Sequence, residues 1–443
     1  MSIIVGTAND DFLSGTNSDD QIFGRGGNDN ISGGLGNDLI DGGLGNDTLA
    51  GNGDDDTFKG SRGNDSIDGG DGIDTADYSS LNKSITLSGV GTITKAGGFG
   101  KDQLFKVERI IANAGVTNNT IDASQSLSGV FVTVDLQNQS LVANNVPDLG
   151  TLPFTVVNFV NVKGTNASDT IAGDDQSNQL FGNDGDDSID GRGGNDLIDG
   201  GRGSDKLTGG RGDDTFKGSR GNDSINGGDG FDTADYSKLG KTITLSGVGT
   251  ITKAGGFGTD LVFKVETVIA DASVANNTID ASQSVSGVSI TSDLQAQSIS
   301  ANNVPTLGTL TFDVVNFDNI IGTNENDSIT GDRQNNRLVG NDGNDTISGG
   351  FGNDSITGGQ GDDILTGGFG ADKFIFNNVK EGIDTIKDYD FAQKDVIQVS
   401  KVGFGTTNIS DFSYDASSGN LSFLGNQFAF VENLSSNLSI KLV

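Results

Sequence analysis

Cysteine, histidine and tryptophan are absent from the 443 residues, and glutamate fills only five of the 61 acidic positions: Glu108, Glu266, Glu325, Glu381 and Glu432. Without cysteine or histidine there are no disulfides, no zinc sites of the usual ligand type and no histidine-based catalysis. No apolar stretch approaches the roughly 18 residues of a membrane-spanning helix. The opening Met1-Ser2-Ile3-Ile4-Val5-Gly6-Thr7 lacks the basic region and apolar run of an ordinary signal peptide. Helix signals are weak amid so many β-branched residues and glycines.

Glycine (70 residues) and aspartate are abundant instead, and the net charge is -34. Such a composition could belong to a disordered low-complexity chain, but the glycines are in phase. They mark a nonapeptide, Gly-Gly-x-Gly-x-Asp-x-U-x, with U a large apolar residue. A solvated acidic surface would mix in far more glutamate. Aspartate at fixed loop positions beside glycine suits metal sites with oxygen ligands, because its short arm keeps the carboxylate near backbone carbonyls. The charge follows the repeats: residues 6–77 hold 16 acids against Arg25, Lys59 and Arg62, whereas 78–163 hold five acids and six bases. Nucleic acid is not expected as a partner of so acidic a surface.

The frame opens at Gly6 and holds for eight units, with acids at Asp11, Asp20, Asp29, Asp38, Asp47, Asp56, Asp65 and Asp74. It returns at Gly164 with Asp169, Asn178, Asp187, Asp196, Asp205, Asp214, Asp223 and Asp232. A third run opens at Gly322 with Asp327, Asn336, Asp345, Asp354, Asp363 and Asp372. Both returns are offset by 158 residues, so the nonapeptide lies within a longer repeat. The expected organisation is three repeat blocks, 1–77, 164–235 and 322–375, two homologous β-rich inserts, 78–163 and 236–321, and a tail, 376–443. The inserts share Ser-Gly-Val-Gly-Thr-Ile-Thr-Lys-Ala-Gly-Gly-Phe-Gly, from Ser88 and from Ser246. They read as short strands that continue the stack as solenoid turns without metal loops; a separate β-sandwich is the rival.

The nonapeptide resembles that of RTX (repeats-in-toxin) proteins. The resemblance implies an all-β fold, a parallel β-roll in which two nonapeptides make one turn, U points inward and Ca²⁺ fills the loops. One aliphatic side chain per nine residues returns less free energy than the ordering of nine backbone residues costs, so calcium has to contribute to folding. By the same resemblance the sixth-position acid and the glycine carbonyls form half an octahedron, completed by the loop one turn along. The implied acidic ligands are Asp20 and the acids from Asp29 to Asp74, from Asp187 to Asp232 and from Asp345 to Asp372 named above. The implied glycines are Gly34, Gly36, Gly43, Gly45, Gly194, Gly201, Gly203, Gly210, Gly212, Gly350, Gly352, Gly359 and Gly361. Sites are expected between Asp29 and Asp47, Asp38 and Asp56, Asp47 and Asp65, Asp187 and Asp205, Asp196 and Asp214, Asp205 and Asp223, and Asp345 and Asp363. The opening unit of each block, from Gly6, Gly164 and Gly322, and the units carrying Asn178 and Asn336 are expected to be weak or empty.

The tail resembles the C-terminal region by which RTX proteins leave the cell through type I secretion machinery; alternatively it is a plain β cap over the solenoid end. EF-hand and phosphate-loop patterns fail on spacing. Glu108 and Glu266, equivalent across the long repeat, are the candidates if the inserts were enzymatic, but hydrogen-bonded strand residues are the plainer reading. With repeats from Gly6 onward, no protease, lipase or pore-forming domain is expected ahead of them. The expected function is a secreted calcium-binding structural protein that self-associates into a surface layer, sheath or filament. An adhesin binding extracellular polysaccharide is the alternative.

Overall fold

A computed structural model describes residues 1–247, 249–433 and 437–443 and divides into two compact units, Met1–Asp232 and Thr233–Val443. In the first unit each nonapeptide yields one short strand centred on its apolar residue, as in Gln21–Phe23, Asn30–Gly34, Leu39–Asp41 and Thr48–Gly53. Side chains alternate along a strand, so Ile22, Ile31, Ile40, Leu49 and Phe58 all point inward and are at most 1% exposed. Strands two nonapeptides apart pair in parallel: Ile22 lies against Ile40 and Ile31 against Leu49. The backbone therefore winds through two parallel ladders with a thin aliphatic core between them, as the roll requires.

The insert 78–163 carries both ladders onward. Gly100–Phe105 pairs in parallel with Ser66–Asp71, and Arg109–Ile111 with Thr75–Asp77. From Gly100–Phe105 one ladder turns back through Thr92–Lys95 and Ile85–Ser88 in antiparallel pairing, then resumes parallel pairing at Thr120–Asp122. The other runs from Arg109–Ile111 to Gly150–Val157, folds back through Ser140–Val146 and Phe131–Asp135, and resumes at Thr170–Ala172. Each ladder thus continues through the insert and gains a three-stranded antiparallel meander on the way, a feature that plain solenoid turns lack. The reason is local: Gly89, Gly97 and Gly98 have φ of 57°, 71° and 75°, the left-handed conformation that tight hairpin turns demand.

Within the second unit the same meanders recur, through Ile243–Ser246, Thr250–Lys253 and Gly258–Phe263 and through Ser289–Asp293, Ser298–Val304 and Gly308–Val315. The third block stacks Arg337–Asp342, Ser355–Gln360 and Lys373–Phe376 in one ladder and Thr346–Phe351 and Ile364–Phe369 in the other. The tail prolongs both, through Val396–Val399 to Ile440–Leu442 and through Asp384–Ile386 to Asn426–Val431. There Phe376, Phe404, Phe412, Phe423 and Phe428 pack ring on ring with centroids 5.0–6.0 Å apart. This aromatic plug closes the thin core with a β cap. Among the described residues no helix is long and apolar enough to cross a membrane.

Candidate metal sites

The sixth-position aspartates lie where each loop enters its strand, and parallel stacking sets those 18 residues apart one above another. The backbone N–H of Asp29 donates to Oδ1 of Asp47 at 2.8 Å, that of Asp38 to Asp56 at 2.8 Å and that of Asp47 to Asp65 at 3.0 Å. Equivalent bonds join Asp187 to Asp205, Asp196 to Asp214, Asp205 to Asp223 and Asp345 to Asp363 at 2.8–3.1 Å. Every pair expected to share a site is therefore a pair of neighbours in a buried column.

The second carboxylate oxygen decides what these columns can hold. Oδ2 of Asp29, Asp38, Asp47, Asp56 and Asp74 is buried without a hydrogen-bond partner, as are those of Asp187, Asp196, Asp205, Asp214, Asp345, Asp354, Asp363 and Asp372. A buried carboxylate oxygen left unpaired is costly, and native interiors seldom tolerate one. Each such Oδ2 borders a small space beside the first glycine of its own unit. A Cβ on Gly24 would overlap Asp29 Oδ2 and come within 2.5 Å of the Gly42 carbonyl oxygen; on Gly191 it would overlap Asp196 Oδ2 and lie 2.7 Å from the Gly209 oxygen. Oxygen from a carboxylate and from the carbonyl one turn on, in a space with no donor, fits a hard cation such as Ca²⁺. Among the described residues no three acidic side chains converge; each loop offers one carboxylate and draws its other oxygens from the backbone.

Burial, reinforced by the neighbouring acids of the column, pushes these carboxyls up: Asp47, Asp74, Asp214 and Asp363 to about 6, and Asp56, Asp187, Asp196, Asp205, Asp345 and Asp354 to about 7. For a group raised from 3.8, the contribution to the calcium-free fold is fully present below about pH 3.8 and lost as pH rises through 6 to 7. A cation binds the ionised form, so protons compete with it. At about pH 5, where protonated carboxyls let calcium-free turns persist, calcium titrations in weak buffer are expected to release protons, and release should fade at about pH 8.5, where the carboxyls are already ionised. Proton release that does not change between the two would show that these carboxyls are not the ligands.

Some expected ligands stand apart from this geometry. Asp20 Oδ2 accepts both the N–H and the Oγ1 hydroxyl of Thr16 at 2.7 Å, and these bonds hold its carboxyl down to about 2. Asp20 Oδ2 is thus met by protein donors, unlike Asp29 Oδ2. The same threonine clasp closes Asp11 through Thr7, Asp169 through Thr165 and Asp327 through Thr323. Asn178 Nδ2 donates to the Val160 carbonyl and Asn336 Nδ2 to that of Asp318. In these opening turns the first-position carbonyls are capped as well, Gly164 by Asn183, Gly173 by Arg192 and Gly322 by Asn341. Asp65 Oδ2 meets Ser61 Oγ at 3.2 Å and Lys95 Nζ at 3.3 Å, and Asp223 Oδ2 meets Ser219 Oγ at 3.3 Å. The second- and fourth-position glycines expected as ligands, Gly34 to Gly361, all have φ between 90° and 140°, which shapes the loops.

Sequence reasoning missed the first-position glycines, whose lack of a Cβ leaves the space beside each Oδ2. It also missed acids beyond the frame. Asp65 N–H donates to Asp102 Oδ1 at 3.1 Å and Asp74 N–H to Glu108 Oε2 at 2.9 Å, so these two end the first-block columns. Glu108 thus has a backbone-capping place. Asp384 and Asp395 extend the third block in the same way. The signal was present: Gly97 to Phe105, Gly-Gly-Phe-Gly-Lys-Asp-Gln-Leu-Phe, is a complete nonapeptide that lies out of frame with the block before it.

The family profile of the RTX calcium-binding nonapeptide repeat (4 copies) matches residues 5–40, 41–76, 163–198, 199–234, 316–347 and 339–374. The matched elements are calcium-binding rather than catalytic. No match is found among curated proteins. A matching solved structure is the extracellular lipase LipA from Serratia marcescens, 18% identical over 76% of this chain and 45% of that one, with a TM-score of 0.23. This chain therefore spans less than half the length of that enzyme.

Proposed function

Because this chain carries RTX calcium-binding nonapeptide repeats, we propose that it is a secreted structural protein, stabilised by calcium, whose folded form self-associates into a surface layer, sheath or filament. The observation that carries assembly is a duplicated set of exposed apolar side chains on the inserts. Phe105, Leu127 and Leu149 are 53%, 66% and 60% exposed, and their equivalents Phe263, Val285 and Leu307 are 52%, 59% and 60% exposed. Two matching apolar sets on segments poor in net charge are a means of joining chains that otherwise repel. Heterologous contacts of this kind propagate when they do not close.

Export by type I machinery, with the tail carrying the signal, suits a chain that stays unfolded until it meets calcium at about 10⁻⁴–10⁻³ M outside the cell. Sedimentation velocity in EDTA and then across a calcium series tests the reading. A slow, expanded species should become large assemblies as calcium is added. Compaction that stops at a monomer would defeat the assembling building block and turn the search to retention on extracellular polysaccharide.

A further inference from the structure

Lys95 is a charged residue of the first insert that a thin aliphatic core does not explain. It follows Ile93 on the inward face of Thr92–Lys95, and its side chain is completely buried. An ammonium inside a protein is strongly unfavourable unless it is paired and hydrogen-bonded. Its Nζ lies 2.5 Å from Asp102 Oδ1 and 3.3 Å from Asp65 Oδ2. Those two acids are successive members of one column, since Asp65 N–H donates to Asp102 Oδ1 as Asp47 N–H does to Asp65 Oδ1. The remaining oxygen, Asp102 Oδ2, accepts the Tyr78 hydroxyl at 2.8 Å. In earlier turns, at Asp29 and Asp47, the corresponding Oδ2 has no protein partner at all. The second insert repeats the cluster: Lys253 Nζ lies 2.5 Å from Asp260 Oδ1, both fully buried, and Tyr236 donates to Asp260 Oδ2 at 2.7 Å.

We propose that the Lys95 ammonium is a built-in cation that takes the place of calcium at the last turn of the first-block column, and that Lys253 serves Asp260 as a built-in cation within the second insert. This rests on the calcium reading of the columns. The turn between Asp65 and Asp102 then takes no calcium and holds together without it. Each insert becomes a metal-independent nucleus onto which the calcium-dependent turns stack, as neighbour-by-neighbour folding of a repeat array allows. A lysine suits the task because its compact charge on a flexible stem reaches from the hairpin into the column.

Hydrogen exchange on the full chain in EDTA tests the proposal. Segment 92–105 and the amide of Asp65 should exchange at least about tenfold more slowly than residues 29–56. In Lys95→Met, which keeps the length and removes the charge, protection of 92–105 in EDTA should fall to the level of 29–56 and return when calcium is added. Lys95→Arg should retain it. Wild-type protein in which 92–105 exchanges as fast as 29–56 in EDTA would overturn the proposal without need of any variant, and so would Lys95→Met with undiminished protection. If residues 29–56 themselves stay protected in EDTA, it is the calcium reading of the columns that fails.

Discussion

Removing calcium at about pH 7.5 unfolds the repeat blocks. Far-UV circular dichroism should lose most of the strand signal contributed by residues 20–77, 173–232 and 331–375, and the hydrodynamic radius should grow toward that of an expanded chain. The cause is visible in the columns. Asp29, Asp47 and Asp65 stack 18 residues apart, as do Asp187, Asp205 and Asp223, at most 3% exposed. Their charge is self-repelling, and most of their Oδ2 atoms have no donor in the protein. Against this stands one inward aliphatic residue per nonapeptide, too little burial to order nine residues of backbone. Binding and folding are then one equilibrium, and calcium restored at about 10⁻⁴–10⁻³ M should bring the signal back. At about pH 5 the loss should be milder, because carboxyls raised to 6 or 7 take up protons and shed the repulsion. An undiminished strand signal in EDTA at pH 7.5 would contradict the account.

Replacing one first-position glycine empties a site while leaving the backbone acceptable. Gly191 is not in the left-handed region, so alanine suits its conformation, but the new Cβ would overlap Asp196 Oδ2 and press on the Gly209 carbonyl at 2.7 Å. Gly191→Ala is expected to bind one fewer ion by equilibrium dialysis, to need several-fold more calcium to fold, and to lose about 1–3 kcal/mol at saturating calcium from overpacking alone. Gly203→Ala damages the chain differently. Its φ of 140° is foreign to alanine, and its Cβ would overlap the Gly185 carbonyl in the stacked loop, so the backbone itself must shift. Unchanged stoichiometry in Gly191→Ala would place the ion away from the space beside Asp196.

The roll was legible because its rules are local. An aspartate recurring every ninth residue, followed two places on by an aliphatic residue, can bury Ile22, Ile31 and Ile40 only on one side of a very short strand. Asp20 shows where such reading stops. Its position in the frame is that of Asp29, yet Thr16 rather than glycine stands at the second place of its unit and clasps the carboxylate. The threonine was in view, but a hydroxyl in a loop declares nothing until its partner is known.

By itself the sequence determined the inward residues and the left-handed glycines, since each follows from strand alternation or backbone sterics within a few residues; the two-nonapeptide turn and the acid columns it stacks came from the resemblance to RTX repeats. Only the tertiary structure decided which carboxylates are left without a donor and which are already answered. Asp65 meets Asp102 across 37 residues and Lys95 across 30, through a hairpin that reverses the ladder before restoring it. Contacts at that separation depend on which strands pair, and pairing is settled by the burial of the whole stack.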